Sequence, residues 1–253
     1  MLASHKKPNH SIVTSCSLAT RNPDVSVIKY ADDTSLIMPL PSSSTEDIRK
    51  RVDSETDNML DWCQRHKMRL NISKSKCLLI TRQEVVDLGS SIACERSVRL
   101  LGLHLNHRLN WNDHVAQLRR ICGLRLHLLR MLRSLVSPSK LQRVYDAIIR
   151  SLFDYVCPVC MGMNKKQASI LQRIENRAIR IINSNPNDGK KRDLLHDRRL
   201  DLGHRLWLEI EKDEAHILRS LLSPRLPRSG HLALSSYRTS TYGNTFFPYF
   251  SRY

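Results

Sequence analysis

Two adjacent carboxylates, Asp32 and Asp33, are the residues of this sequence best suited to chemistry. Apolar residues flank them on both sides in VIKYADDTSLI, residues 27–37, and such runs are typical of β-strands. We predict strands over residues 25–30 and 34–38, so that both acids fall in the tight turn of a hairpin. Carboxylates at a hairpin tip can bind Mg²⁺, which takes a few carboxylates together with water and substrate phosphates. Paired Mg²⁺ ions support the transfer of a nucleotide to a hydroxyl group.

An ordinary turn is the alternative interpretation of these acids, because aspartate tolerates turn backbones and favours solvent. The tetrapeptide Tyr-Ala-Asp-Asp is expected by chance in only about one chain in several hundred at average residue usage. Apolar strands on both sides make a chance occurrence rarer still. The flanking sequence therefore favours a functional role for the acids.

Cysteine and histidine pairs are weaker candidates for metal binding. Cys157 and Cys160 form a lone C-x-x-C pair, and His104 and His107 form H-x-x-H, but no second pair follows at a recognisable spacing. The seven cysteines are scattered and odd in number, which indicates free thiols in a reducing compartment. We therefore expect Cys157 and Cys160 to pack in a core.

Composition indicates a polyanionic partner. The 253 residues contain 41 Lys and Arg against 24 Asp and Glu, a net charge of +17, which exceeds what solubility requires. No apolar run is long enough to span a bilayer, so we expect no membrane partner and an intracellular location, nuclear or cytoplasmic. The eight glycines form no phosphate-binding loop, which argues against kinase-like and dinucleotide-binding folds.

The region after the acids predicts a small α+β unit. Ser44 and Asp47 favour the start of a helix that ends near Lys67. Its apolar residues recur at helical spacing at Ile48, Val52, Met59 and Cys63. Two further apolar runs, residues 77–81 and 98–105, predict strands.

Helical spacing dominates from Asn112 onward. The first helix has an apolar row at Val115, Leu118, Cys122, Leu126, Leu129 and Leu132. Five arginines occupy much of the rest of its surface: Arg119, Arg120, Arg125, Arg130 and Arg133. Residues 115–150 contain eight Arg or Lys and a single acid, Asp146.

Three more helices are predicted after this basic helix. Ser137 and Pro138 favour the start of one whose buried face consists of Leu141, Val144, Tyr145, Ile148 and Leu152. Asn164 and Gln167 form a capping box for the next, with an apolar row at Leu171, Ile174, Ala178, Ile181 and Ile182. Residues 185–190, NPNDGK, end it, and residues 194–222 form a further amphipathic helix.

The segment KYADDTSLI, residues 29–37, resembles the signature of reverse transcriptases, in particular those of non-LTR (LINE-like) retrotransposons. Other segments resemble that family in the same order along the chain. Residues 61–63 and 68–76 are similar to its "W…L.LN..K(S/T)" segment, and residues 98–105 to its "..LG..L" primer-grip hairpin. The remaining similar segments are residues 109–115 ("L.W..H"), 154–159 ("Y..PV"), 171–182 ("LQ..QN+A+R.I") and 238–248 ("RT..Y..SFFP").

The resemblance implies a role for each candidate residue. Asp32 and Asp33 would bind catalytic Mg²⁺, Tyr30 and Ala31 would shape the nucleotide floor, and Lys74 would approach the pyrophosphate leaving group; a plain surface lysine is the alternative for Lys74. The primer-grip residues would be Leu100, Leu101, Gly102 and Leu103. The arginines of the basic helix would contact the phosphates of an RNA template and DNA primer without reading sequence.

The resemblance also implies an α+β fold made of part of a polymerase palm and a mainly helical thumb. We divide the chain into an irregular N-terminal segment (1–24), a partial palm (25–108), a thumb-like region (109–183), a C-terminal helical extension (184–222) and a loosely ordered tail (223–253). The fingers and the upstream catalytic aspartate of the family have no counterpart in these 253 residues. We therefore expect negligible polymerase activity from this polypeptide alone. A non-catalytic, basic nucleic-acid-binding protein is the alternative function, and a decayed element without a cellular role is the third hypothesis.

Overall fold

Helices and two short hairpins form the predicted α+β fold, which is described by a computed structural model. The structure describes residues 19–40, 44–81, 87–155, 157–183, 195–222 and 250. These residues fall into two compact units. Unit 1 extends to Val98 and includes Asn106–Arg108, whereas unit 2 contains Arg99–Leu105 and the residues from Leu109 onward.

The predicted aspartate hairpin is present in unit 1. Strands β1 (Ser26–Tyr30) and β2 (Asp33–Ile37) pair antiparallel, with Val27 opposite Leu36. Directly opposed residues of an antiparallel pair lie on the same face of the sheet. The face with Val27 and Leu36 packs against helix α1 (Thr45–Arg65), so one side of the hairpin is supported by a helix.

Helix α1 begins directly after Ser44, as predicted. Glu46 and Asp47 occupy its first turn, where the helix dipole favours negative charge. Lys67 adopts a left-handed backbone with a φ of 54°, which is typical of the residue that follows a helix. The helix therefore ends at Arg65. Its buried apolar residues include Ile48, Val52, Met59, Trp62 and Cys63, and the last three form the core beneath the hairpin.

One predicted strand was wrong, and a second region forms the hairpin that the resemblance implied. In residues 77–81 only the first residue makes a β-bridge, to Cys94, and the rest of this run is not a strand. Residues 98–105 form a hairpin of β3 (Ser97–Leu100) and β4 (Leu103–Asn106). The apolar run alone predicted one strand here, whereas the resemblance implied a hairpin. Short apolar runs indicate burial, but they do not specify whether the chain bends within the run.

Helices α2 (Asn112–Leu132) and α5 (Lys165–Ile182) pack against each other in unit 2. The apolar row predicted for α2 is buried except for Leu132, which is half-buried. The row predicted for α5 is buried throughout. Asn164 accepts a hydrogen bond from the Gln167 backbone N–H, and the Gln167 side chain accepts one from the Asn164 backbone N–H, so the predicted capping box is confirmed.

A π-helical turn changes the buried face of the next helical segment. Helix α3 (Pro138–Tyr145) continues through the π-helical turn Asp146–Arg150 into α4 (Ser151–Asp154). The most buried residues are Leu141, Tyr145, Ile149 and Phe153, at a constant spacing of four. Residues four apart drift around a regular α-helix, and a wider π-helical turn brings them back to one face. The predicted face was therefore wrong at Val144, Ile148 and Leu152, which are only partly buried.

Helix α6 (Leu195–Lys212) is shorter than predicted. Residues 213–222 form turns and a short 3₁₀-helix at Arg219–Leu221, so the expectation of one helix to residue 222 was wrong. None of the described helices is long and apolar enough to cross a membrane. The predicted helix end at residues 185–190, the tail at 223–253 apart from Phe250, and residues 1–18 lie outside the described residues.

Candidate functional site

The tip of the aspartate hairpin is a two-residue turn. Ala31 and Asp32 form the turn, and Asp33 is the first residue of β2, where it pairs with Tyr30. The expectation that Asp33 lies in the turn itself was therefore wrong by one residue. Ala31 has a φ of 53°, in the left-handed region that a residue with a side chain rarely adopts. A tight two-residue hairpin turn requires this backbone and places the two carboxylates at the end of the strands.

Both carboxylates are open to solvent. Asp32 and Asp33 are exposed, and within the described part of the chain neither forms a hydrogen bond through its side chain or an ion pair. A structural aspartate in a turn commonly bonds to nearby backbone N–H groups, which these two do not. Their oxygen atoms are therefore available to a ligand.

The outer face of the hairpin is apolar and uncovered. Ile28, Tyr30 and Ile37 lie on the face that also carries Asp33, and their side chains are 55%, 66% and 54% exposed. Exposed apolar groups beside a polar tip are typical of ligand and macromolecule contacts. This face combines a flat apolar surface with a carboxylate at one end.

The inner face anchors the tip. The Lys29 ammonium lies 4.5 Å from the centre of the Trp62 ring, in a cation–π contact with helix α1. Val27 and Leu36 pack on the core that contains the same tryptophan. The strands that carry the acids are therefore fixed on a helix, which is what a precisely placed pair of ligands requires.

The chemistry of Asp32 and Asp33 fits part of a magnesium site. Mg²⁺ is bound through one or two carboxylates, and water and substrate phosphates complete its coordination. The two adjacent acids supply hard oxygen ligands of this kind. Among the described residues, no cluster of three or more His, Cys, Asp or Glu side chains could hold a metal ion.

Lys74 lies in the turn after residue 71 of unit 1 and is exposed. Its backbone N–H bonds to the backbone oxygen of Asn71 and to the side-chain oxygen of the same residue. Its side chain makes no ion pair with Asp32 or Asp33 among the described residues. The loop is thus ordered by Asn71, and the ammonium is open to solvent.

The predicted primer-grip residues form the second hairpin. Leu100 ends β3, Leu101 and Gly102 form the turn with φ values of 45° and 87°, and Leu103 begins β4. The hydroxyl of Tyr155 donates a hydrogen bond of 2.6 Å to the Leu101 carbonyl. A Cβ atom at Gly102 would lie 3.3 Å from the Tyr155 ring. The turn is therefore fixed by a tyrosine that follows α4, within unit 2.

The arginines predicted on α2 differ in exposure and in position. Arg119, Arg120 and Arg130 are exposed, and they form no hydrogen bond or ion pair within the described residues. Arg125 is half-buried, and its guanidinium donates a hydrogen bond to the carbonyl of Ile148. Arg133 lies in the turn after the helix. Three guanidinium groups on one helix are thus available to an anionic partner.

The cysteine pair is part of the packing of unit 2. Cys157 and Cys160 are buried, with 1% and 4% exposure. Burial raises the pKa of each thiol to about 12, so the thiolate that binds metals or reacts with disulfides is disfavoured. The prediction that these residues pack in a core is confirmed.

His104 lies close to a different histidine from the one in its sequence pair. Its ring is 6.5 Å from that of His114, which is buried at the start of α2. Burial, with a smaller contribution from His104, lowers the pKa of His114 and favours its neutral form. The Nδ1 atom of His107 instead lies 3.4 Å from the backbone oxygen of Arg96.

Sequence reasoning missed a buried polar network in unit 2. Glu175 is 1% exposed and accepts hydrogen bonds from the Tyr145 hydroxyl at 3.1 Å, from Gln172 at 3.1 Å and from Arg150 at 3.3 Å. Burial raises the pKa of the Glu175 carboxyl, and these donors oppose that shift. In the sequence, Glu175 lies between Ile174 and Ala178, which belong to the predicted apolar row of α5. This position next to the apolar row was the sequence signal that Glu175 is buried.

A second missed carboxylate, Glu55, is buried on α1 with 1% exposure. It accepts hydrogen bonds from the Asn22 backbone at 3.0 Å and the Asn22 side chain at 2.6 Å, and from the Arg21 backbone at 3.4 Å. These bonds attach the segment before β1 to helix α1. Glu55 therefore has a structural role in supporting the hairpin.

Comparisons with known proteins found no relatives. No protein-family model matches the chain, and no curated protein sequence or solved structure is significantly similar to it.

Proposed function

We propose that this chain is part of the reverse transcriptase of a non-LTR retrotransposon, with unit 1 and the second hairpin contributing to the palm and the helices of unit 2 to the thumb. The observation that carries the proposal is the tip formed by residues 30–33. Two solvent-open carboxylates follow Tyr30 at a tight turn between short strands, and a helix supports those strands. An RNA template and a DNA primer are the proposed partners, and the proposed location is nuclear or cytoplasmic.

In this proposal Asp32 and Asp33 bind Mg²⁺. Mg²⁺ bound there would neutralise charge on the nucleotide phosphates and activate the attacking hydroxyl group. Tyr30 and Ala31 shape the floor on which the nucleotide lies, and the exposure of Tyr30 on the face of Asp33 supports this role. Lys74 stabilises negative charge on the pyrophosphate leaving group, and the solvent-open position of its ammonium supports this role.

Unit 2 supplies the nucleic-acid contacts. The Leu101–Gly102 turn, with Leu100 and Leu103 beside it, positions the primer end, and its fixed geometry supports that role. The exposed arginines of α2 contact phosphates. Such contacts release counterions and give sequence-independent, salt-dependent affinity.

Cleavage of the backbone by bound iron tests the metal site. Fe²⁺ replaces Mg²⁺ in carboxylate sites, and with ascorbate and peroxide it generates hydroxyl radicals that cut the chain close to the ion. We expect cuts within residues 30–34, measured by mass spectrometry, and their loss on adding excess Mg²⁺. The combined variant Asp32→Asn and Asp33→Asn should abolish them, whereas Asp57→Asn, an exposed acid of α1, should not. Absence of these cuts, or their persistence in the combined variant, would overturn the proposal.

Primer extension tests the completeness of the catalytic site. A two-metal site needs carboxylates that converge from more than one strand, and the described residues contain no third acid that joins Asp32 and Asp33. We expect negligible extension of a DNA primer on an RNA template by the 253-residue polypeptide with Mg²⁺ or Mn²⁺. Extension that Asp32→Ala abolishes would contradict this expectation.

A non-catalytic nucleic-acid-binding protein is the second candidate function. The available guanidinium groups of α2 favour it independently of the aspartate tip. Salt-dependent binding to RNA–DNA hybrids without iron cleavage at the tip would support this candidate over the polymerase.

A further inference from the structure

Helix α2 carries a second apolar row that faces solvent. Leu124, Leu128 and Met131 are 72%, 41% and 53% exposed, and Leu135, in the turn that follows the helix, is 75% exposed. Their spacing of four, three and four residues is that of the a and d positions of a heptad. We call these four residues the exposed stripe.

The exposed stripe is distinct from the core face of α2. At about 100° per residue, Leu124, Leu128 and Met131 lie within about 60° of one another on the helix surface. The buried row from Val115 to Leu129 is centred about 150° away, on the side that packs against α5. The stripe therefore contributes nothing to the described core. A contiguous row of large exposed apolar residues indicates an interaction surface.

Exposed basic residues border the stripe along its g positions. Arg120 and His127 occupy the g positions of the heptad. Arg125 occupies an e position, but it is half-buried and its guanidinium is bonded to the Ile148 carbonyl. In paired helices the e and g residues determine which partner binds and in which orientation. A partner helix with Glu or Asp at the opposing positions is complementary to this border, whereas one with Lys or Arg is repelled.

We propose that the exposed stripe of α2 binds an acidic amphipathic helix of a partner protein. The a and d residues of that helix pack on the stripe, and its acidic flanking residues face the exposed Arg120 on the g side. This inference stands on the stripe and its border, and it does not depend on the proposed polymerase function.

Two other occupants fit the surface less well. A second copy of this chain would oppose one basic border with another, and each copy has a net charge of +17. Nucleic acid is bound through cationic groups and through aromatic rings on which bases stack. Leucine and methionine side chains provide neither. An acidic helix is the occupant that satisfies both the apolar stripe and its charged border.

Binding of synthetic peptides to the full chain tests the proposal. The probe is a fluorescent helical peptide of about three heptads with Leu at a and d and Glu at e and g. One control peptide has Ser in place of every Leu at the same charge, and another has Lys in place of every Glu. By fluorescence anisotropy at physiological salt, we expect the probe to bind at least about tenfold more tightly than either control.

Variants of the chain locate the binding site. We expect Leu124→Ser combined with Leu128→Ser to weaken binding of the probe by about 30-fold or more, as for the central residues of an interface. Ile217→Ser is the matched control, because Ile217 is 85% exposed and belongs to the turns after α6 and not to the stripe. It should leave the affinity within about twofold. Circular dichroism spectra should be the same for all three proteins.

Three outcomes would overturn the proposal. Equal binding of the probe and the Ser-containing acidic peptide would show attraction by charge alone. A dimer of the chain in sedimentation that the Leu124→Ser and Leu128→Ser variant converts to a monomer would assign the stripe to a second copy. Loss of RNA–DNA hybrid binding in the same variant, without loss of probe binding, would assign the stripe to nucleic acid.

Discussion

Replacement of Arg119, Arg120 and Arg130 by glutamine tests whether α2 binds nucleic acid. These side chains are exposed and free of ion pairs within the described residues, so each can contact a phosphate. Each phosphate contact contributes about 0.9 to the slope of log affinity against log salt concentration. Loss of three contacts therefore reduces the slope by about 2.7. When salt rises from about 50 to about 200 mM, the affinity of the unmodified chain should therefore fall by a factor about 40 times larger than that of the variant.

Filter binding of an RNA–DNA hybrid across this salt range is the assay. Glutamine is close to arginine in helix propensity, so α2 should remain folded. A second triple variant controls for net charge, because it removes the same number of positive charges from exposed positions on other helices. Its substitutions are Lys50→Gln, Arg65→Gln and Arg205→Gln.

We expect the control variant to keep the slope of the natural sequence and the α2 variant to lose about 2.7 of it. Equal loss in both variants would mean that the affinity depends on the net charge of +17 and not on the α2 surface. A weak and flat response to salt in the unmodified chain would refute nucleic-acid binding altogether.

The remaining predictions concern unit 2. Tyr145→Phe removes a buried hydrogen-bond donor to Glu175 and should lower the free energy of unfolding by about 2 kcal/mol. Tyr155→Phe removes a hydroxyl at the surface and should lower the free energy of unfolding by about 0.5–1 kcal/mol. Urea unfolding midpoints of the two variants measure this difference. Burial raises the pKa of Glu175 in the folded state above its pKa in the unfolded chain. The stability that Glu175 contributes is therefore fully present below the unfolded-state pKa, and it is lost as pH rises through the folded-state pKa. Glu175→Gln should therefore reduce the loss of stability that the unmodified chain shows as pH rises above the usual pKa of a carboxyl group, measured as urea midpoints from about pH 4 to about pH 7. An unchanged dependence of stability on pH would contradict the burial of Glu175. With pKa values of about 12 and buried sulfur atoms, Cys157 and Cys160 should react with iodoacetamide only after unfolding, which mass spectrometry of partially alkylated chain checks.

Local signals account for the elements that could be predicted. Helices α1, α2 and α5 have apolar rows at helical spacing, and α5 also has a capping box, so neighbouring residues specify their positions. The aspartate hairpin follows from two apolar runs around polar turn residues. The same residues could not show that Asp33 joins β2, because a two-residue turn depends on the left-handed backbone of Ala31.

Elements that depend on distant contacts could not be predicted from local residue spacing. The bend in residues 98–105 places Leu101 in a left-handed conformation, and the hydroxyl of Tyr155 donates to its carbonyl from 54 residues away. The π-helical turn Asp146–Arg150 likewise has no clear local signal. It moves Ile149 and Phe153 onto the core face, where α2 and α5 contribute the surrounding residues.

By itself the sequence determined the acidic hairpin tip, the excess of positive charge and the core row of α2, because each depends on residue type and spacing over a short stretch. Only the tertiary structure showed that the second apolar row of α2, at Leu124, Leu128 and Met131, remains exposed. It also placed Glu175 among donors from α3 and the π-helical turn. Burial and hydrogen bonding depend on which residues distant in the chain come together, and a local pattern does not contain that information.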